Sequence, residues 1–303
     1  MDHSYAKYKY NKLKILITGP NGNIASNLIN ELPKKYEIYT ISSKKITKKN
    51  KIKSNLIYEG NYNKLRRFLN DINPKIVVHL STKWKKFDEK KNEDLINSNI
   101  TFGSYLLDIC KNLDIKLFIN TSSYTQFDSN GNYKPFNFYS ASKEAFLKLL
   151  YYFYISKSFK IINLRIMNVY GLKNDKRIVN YIFQNIKNKK KKININDLNA
   201  YVDLVHIDDV VSALLSVILS KNYNYYKKFS YDISSKKQIT ILNLIKKIEK
   251  VSNYKFNKII SKKIFDEYLK KPYRGKRLIN WDNKIHLKDG LKKNYYLFFP
   301  LSI

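Results

Sequence analysis

The chain of 303 residues has a single cysteine, Cys110, so no disulfide can form within it. Its setting among Leu106, Leu107, Ile109 and Leu113 gives the thiol a core role. No stretch approaches the roughly 18–20 consecutive apolar residues that span a bilayer. The opening segment 1–11 is polar and tyrosine-rich and lacks the apolar centre of a secretory signal. Cysteine and histidine do not cluster at zinc spacing, so no metal site is expected, and no internal repeat is present. What these absences leave is a cytoplasmic globular chain, long enough for one large α/β unit or two interlocked lobes.

Acids are also scarce: 24 Asp and Glu stand against 58 Lys and Arg, a formal net charge of +34. Such a balance raises nucleic acid or an anionic membrane as a partner. The lysines, however, run through nearly every segment. Only 187–192 is a dense block, broken by Asn188, and a solvated helix end and turn explains it more simply than nucleic acid does. The charge is suited to drawing in an anionic small substrate.

Against that background, Tyr139 and Lys143 open an amphipathic run through Phe146, Leu149, Leu150 and Phe153. Four residues apart on a helix, they share one face, with the ammonium beside the phenol. A fixed positive neighbour favours phenolate, which predicts a tyrosine able to move protons nearer neutral pH.

Upstream, an apolar strand over 12–17 leads into Thr18-Gly19-Pro20-Asn21-Gly22-Asn23-Ile24-Ala25 and then a helical pattern. Glycines there permit a tight turn and a close backbone approach to a pyrophosphate, Ala25 lets helix pack on strand, and the helix start offers free N–H groups. The second strand ends at Ser42-Ser43-Lys44-Lys45, with no acid for an adenosine ribose. Hydroxyls and cations there favour NADP, with NAD as the alternative. Further strands are predicted at 55–59, 75–80 and 116–120, the last two delivering Leu80-Ser81-Thr82 and Thr121-Ser122-Ser123 to the carboxyl edge of a parallel sheet, with a long helix over 95–113 between them. His79 reads as a packed histidine. Asp208 is placed to cap the helix carrying Val210, Val211, Leu214 and Leu215.

Taken together, the glycine loop, the Ser122-Ser123 strand end, Tyr139-x-x-x-Lys143, Leu164-Arg165-x-x-Asn168-Val169-Tyr170-Gly171, His206-Ile207-Asp208-Asp209-Val210 and the closing Trp281 with 287–291 resemble an extended short-chain dehydrogenase/reductase. That family comprises NAD(P)-dependent nucleotide-sugar epimerases, dehydratases and reductases. The likeness covers roughly 12–297 and is strongest to the CDP-abequose synthase-like reductases of lipopolysaccharide sugar synthesis.

The resemblance implies a Rossmann-type doubly wound parallel sheet over 12–168, to which 200–230 returns, and a smaller C-terminal α/β substrate lobe from 169–199 and 231–303. It implies Tyr139 as acid/base, Lys143 on the nicotinamide ribose and Ser123 on the substrate oxygen. The cofactor-binding set it implies is Gly19, Asn21, Gly22, Asn23, Ile24, Ser42, Ser43, Lys44, Asn61, Leu80, Ser81, Thr82, Asn99, Thr121, Tyr139 and Lys143. Ser123, Tyr124, Asn168 and Arg274 would meet a nucleotide-diphosphate sugar. A homodimer is expected through the helix opening at Tyr139 (Phe146, Leu149, Tyr152, Phe153) and the one before it (Phe102, Tyr105, Leu106).

Two departures narrow the chemistry. Ser123 is followed by Tyr124 and Thr125 rather than the Asp-Glu pair that eliminates water, which disfavours dehydration. Before Asp203 stands Val202 where the family often carries a phosphate-binding arginine, leaving Arg274 or Arg277 as the clamp. The expected activity is reduction of a 4-keto-6-deoxy sugar nucleotide. A 4-epimerase is the enzymatic alternative, and a non-catalytic dinucleotide sensor or nucleic-acid-binding member of the fold is the alternative of another class.

Overall fold

The computed structural model describes residues 12–46, 50–84, 92–172, 175–261 and 271–300. The polar segment 1–11, and 173–174, 262–270 and 301–303 of the expected substrate lobe, lie outside the described residues. In chain order the elements are β1 (Leu13–Thr18), α1 (Asn23–Glu31), β2 (Tyr36–Ser42), β3 (Ile52–Ile57), α2 (Tyr62–Ile72), β4 (Ile76–His79), α3 (Glu93–Ile96), a π-helical turn (Asn97–Thr101), α4 (Phe102–Cys110), β5 (Leu117–Ser123), α5 (Phe138–Ile155) and β6 (Lys160–Ile166). There follow β7 (Asn168–Tyr170), α6 (Ile178–Lys187), β8 (Lys192–Ile195), β9 (Tyr201–Val202), β10 (Leu204–His206), α7 (Ile207–Ile218), β11 (Ser230–Ile233), β12 (Ile239–Thr240), α8 (Ile241–Ser252), β13 (Lys258–Ser261) and α9 (Leu287–Phe298).

Seven strands form one sheet in the order β3-β2-β1-β4-β5-β6-β11, and every pairing in it is parallel. This is the doubly wound, Rossmann-like sheet expected from the alternation of strands and helices. Its inner strands are buried on both faces because helices cover both. Ile15 and Ile17 of β1 enter one core with Leu28 of α1 and Val210 and Leu214 of α7. Leu16 points the other way, into a second core with Leu65 and Leu69 of α2, Leu106 of α4 and Phe146 of α5. The same two-residue alternation sends Val78 to the first core and Val77 to the second. A third core joins Phe183 of α6, Leu244 and Ile245 of α8, and Leu291 of α9.

Local chemistry explains several boundaries. Asn137 starts α5 by accepting from the Ser140 N–H at 2.9 Å. The helix expected over 95–113 begins at Glu93, ends at Cys110 and widens at the π-helical turn. Asp208 is not the cap of α7: His206 Nδ1 accepts its N–H at 3.2 Å, and the Asp208 carboxylate pairs with Lys293. Gly103 lets α4 and α5 meet closely, since a Cβ there would come within 2.5 Å of the Phe146 ring. At the end of β6 the buried Arg165 guanidinium pairs with Asp232 and lies between the rings of Phe127 and Tyr273, at 4.9 and 4.8 Å.

Candidate active site

Strand order reverses between β1 and β4, and a crevice opens at the carboxyl ends of the strands there. One buried atom shapes its floor. Thr18 Oγ1, at the end of β1, accepts the N–H groups of Leu80 and Ser81 at 3.1 and 3.0 Å and meets His79 Nδ1 at 2.9 Å. Burial, helped by the Lys143 charge, depresses His79 to about 3, so the ring is neutral and structural.

The adjoining Gly19 has φ +72°, and a Cβ on it would lie 2.9 Å from the Ser81 Cα. Only glycine leaves that cradle open. Gly22 then starts α1 with no side-chain cap, so the first amides of the helix remain free to meet an anion. A turn tight enough to admit a pyrophosphate, closed by an uncapped helix end, fits a dinucleotide.

The crevice continues into a cleft of about 1420 Å³. Of the expected cofactor residues, Gly19, Asn21, Gly22, Asn23, Ile24, Ser42, Ser43, Lys44, Leu80, Ser81, Thr82, Thr121, Tyr139 and Lys143 line it. Ser42 is buried, and its hydroxyl is already engaged by Lys44 O at 2.6 Å and by Asn55. Ser43 and Lys44 are exposed.

Two residues of that set are not on the wall. Asn61 caps α2, accepting from Lys64 N at 2.9 Å, and its neighbours Glu59 and Gly60 face the cleft instead. Asn99, in the π-helical turn, has its four hydrogen-bonding positions taken: Oδ1 accepts from Lys83 N and Thr82 Oγ1, and Nδ2 donates to Lys83 O and Ser142 Oγ. It braces the Thr82 loop against α5, with no capacity left for a ligand.

Ser123, Tyr139 and Lys143 converge on the cleft from the end of β5 and the first turns of α5. Lys143 is buried, which lowers its pKa to about 8. The expectation of a depressed tyrosine is corrected: burial holds the Tyr139 phenol above its ordinary value, against a hydrogen bond with Thr82 and the Arg177 charge, which pull it down. The charge that bears on the phenol is that of Arg177, not that of the lysine one turn away, and burial outweighs it.

Around Ser123 the backbone is pinned. Its N–H donates to Gln126 Oε1 at 2.8 Å, and Gln126 Nε2 donates in turn to the buried Glu144 of α5. Tyr124 donates its hydroxyl to Asn168 Oδ1 at 2.8 Å, while Asn168 Nδ2 is a buried donor with no partner among the described residues. Such an orphan facing a cleft is a place for a ligand oxygen.

Arg274 is not brought to this cleft. Its guanidinium is closed on the fully buried Asp203, and it faces a separate shallow groove. Arg277 pairs with Asp282 and stacks on Trp281 at 5.0 Å. The cations on the cleft wall next to α6 are Lys176 and Arg177, the latter held by Asp175 through its backbone N, Nε and Nη2. In the sequence Arg177 is one cation among many lysines, and only its position at the head of an apolar helical run sets it apart. Among the described residues no three His, Cys, Asp or Glu side chains are grouped to hold a metal, and no helix is long and apolar enough to cross a membrane.

Residues 15–228 match the model of the NAD dependent epimerase/dehydratase family. CDP-abequose synthase of Yersinia pseudotuberculosis is 26% identical over 287 residues, covering 93% of this chain and 97% of that one. UDP-glucose 4-epimerase of Thermotoga maritima, solved with UDP-glucose, superposes with a TM-score of 0.80 at 19% identity, covering 95% of this chain and 99% of that one. UDP-glucuronic acid 4-epimerase of Bacillus cereus, solved with UDP-glucuronic acid and NAD, gives 0.79 at 20% identity over 96% of this chain and 100% of that one. At these identities the superpositions speak for the fold.

Proposed function

The chain belongs to the NAD dependent epimerase/dehydratase family, and from that premise we propose that it reduces a 4-keto-6-deoxy sugar carried on CDP or dTDP, with NADPH as coenzyme. The observation that carries this reading is the convergence of Ser123, Tyr139 and Lys143 on one cleft beside a turn and helix end open to a pyrophosphate.

The glycine loop and α1 would hold the pyrophosphate, Ser43 and Lys44 the 2′-phosphate, and Lys143 the nicotinamide ribose. Bound there, the coenzyme supplies the hydride that reduces the carbonyl carbon. Tyr139 gives the matching proton to the carbonyl oxygen. A phenol held above its ordinary pKa carries that proton at neutral pH, which suits the acid's part in a reduction. Ser123 hydrogen-bonds the same oxygen and fixes its place. No carboxylate follows Ser123 to remove a second proton, so elimination of water has no base there.

The sugar nucleotide would be held by the smaller lobe, 169–199 and 231–303. Asn168 Nδ2 offers it an unpartnered donor, and Lys176 and Arg177 take the phosphate-side part expected of Arg274. The protein is placed in the cytoplasm, in keeping with its single buried thiol. It is placed as a homodimer through α5. Of the residues expected there, Phe146, Phe102 and Leu106 are consumed by the core, but Leu149 and Tyr152 remain exposed, joined by Tyr151 and Ile155.

The test is stoichiometry. With NADPH and CDP- or dTDP-4-keto-6-deoxyglucose, each sugar reduced should consume one coenzyme, followed by absorbance and mass spectrometry. Isomerisation of a sugar nucleotide with no net change in coenzyme would replace the reductase by an epimerase.

A further inference from the structure

We propose that Thr125 is a positioning residue that turns the Ser123 hydroxyl proton into the cleft, through a chain of hydroxyls linking α5 to the end of β5. The proposal rests on the reading of Ser123 as the group that meets the substrate oxygen.

The chain is continuous. Ser140 Oγ lies 2.7 Å from Thr125 Oγ1, and Thr125 Oγ1 lies 2.8 Å from Ser123 Oγ. Ser140 Oγ also lies 3.0 Å from Asn137 Oδ1, and Thr125 N donates to Ser123 Oγ at 3.3 Å. Each hydroxyl has one proton and two lone pairs, so with Ser140 donating to Thr125 the Thr125–Ser123 bond can run in either sense.

In the first, Ser140 donates to Thr125 and Thr125 donates to Ser123. Ser123 Oγ then accepts from both Thr125 Oγ1 and Thr125 N, and its own proton is left to point into the cleft that Ser123 and Thr125 both line. In the second, Ser123 and Ser140 both donate to Thr125 Oγ1, so the Ser123 proton is turned inward. A carbonyl oxygen in the cleft offers Ser123 an acceptor only in the first sense and therefore selects it.

The surroundings hold the hydroxyls in register without joining the chain. The Ser123 N–H is fixed by Gln126 and Glu144, and Asn137 Oδ1 is anchored by the Ser140 N–H at 2.9 Å. Ser140 and Gln126 are fully buried, so neither can exchange these contacts for water. No part of the arrangement transfers a proton to the substrate; it fixes where the Ser123 proton points while Tyr139 supplies the one that moves.

The experiment compares Thr125→Val, Thr125→Ser, Ser123→Ala and the double variant Ser123→Ala/Thr125→Val, using NADPH and CDP-4-keto-6-deoxyglucose. Coenzyme affinity by fluorescence and thermal midpoint are measured in parallel. Thr125→Val should lower kcat by about five- to tenfold, the scale of one neutral hydrogen bond, with coenzyme affinity and midpoint little changed. Thr125→Ser should restore kcat, and the double variant should turn over no more slowly than Ser123→Ala alone. Additive losses in the double variant, or a Thr125→Val enzyme with unchanged kcat, would overturn the proposal. Unchanged turnover in Ser123→Ala would instead overturn the reading on which it rests, and the proposal with it. Should Thr125→Val fail to fold, Thr125→Ala serves the same comparison.

Discussion

Arg274 and Asp203 are locked together: Nε and Nη2 of the arginine lie 2.8 and 2.7 Å from the same carboxylate oxygen, and Asp203 is wholly buried. Ser234 and Ser235 fill the remaining lone pairs of the aspartate. The pair joins the segment after β13 to the link between β9 and β10, so its work is structural. Arg274→Ala should therefore destabilise the protein, toward the low end of the ~3–5 kcal/mol typical of a broken buried pair because the arginine side is open to water. Urea unfolding measures the loss. Unchanged stability with weakened sugar-nucleotide binding would return Arg274 to the role of phosphate clamp.

Tyr139→Phe removes only the ionisable oxygen. Turnover with NADPH and a 4-keto-6-deoxy sugar nucleotide should drop by roughly 10²- to 10⁴-fold, the usual contribution of a general acid, while coenzyme still binds. Unchanged turnover would show that the acid sits elsewhere.

Lys143 gives a dependence on pH with a definite sign. Burial takes its pKa from 10.5 to about 8, so between those values the unfolded chain holds a proton that the folded chain has lost. Stability from this group accordingly rises with pH across that window. Thermal midpoints of the ligand-free protein and of Lys143→Met, compared from pH 7 to 10, should converge as pH rises, with the variant the more stable at pH 7. A constant difference across the range would show that the ammonium is not being desolvated.

Coenzyme choice should depend on Lys44. The Ser42 hydroxyl is tied to Asn55 and to the Lys44 carbonyl, which leaves the exposed Ser43 and Lys44 to meet a 2′-phosphate. Lys44→Ala should weaken NADPH binding by about fivefold or more, the scale of one charged contact, and leave NADH unaffected. Equal losses for both coenzymes, read by fluorescence titration, would remove the assignment.

For the dimer, Tyr152 is the sharpest probe, at 63% exposure on the outer face of α5. Tyr152→Asp should convert a dimer to a monomer in light scattering at micromolar concentration without altering the thermal midpoint of the monomeric fold by more than a few degrees. A wild-type monomer would dispose of the interface.

The glycine loop, the strand ends and the Tyr139–Lys143 pair were legible because each depends on neighbours in sequence: strand, turn, helix, and a spacing of one helical turn. Arg274 was misplaced because what decides its role is Asp203, 71 positions away. The direction of the Tyr139 shift was misjudged for a related reason. A lysine four residues along is visible in the letters, but the burial that raises the phenol and the Arg177 charge that bears on it are not. The Gln126–Glu144 contact was likewise hidden, since two polar residues 18 apart show no pattern until β5 and α5 are packed together.

Thr18 Oγ1 sets the spacing between the glycine loop and the β4 end, yet it would touch no coenzyme, being enclosed by its own backbone and ring partners. The phosphate cradle is thus not a portable string of letters. Grafted into another parallel sheet without a hydroxyl at the strand end and a neutral ring beside it, Gly19-Pro20-Asn21-Gly22 would carry the composition of the loop and lose its shape.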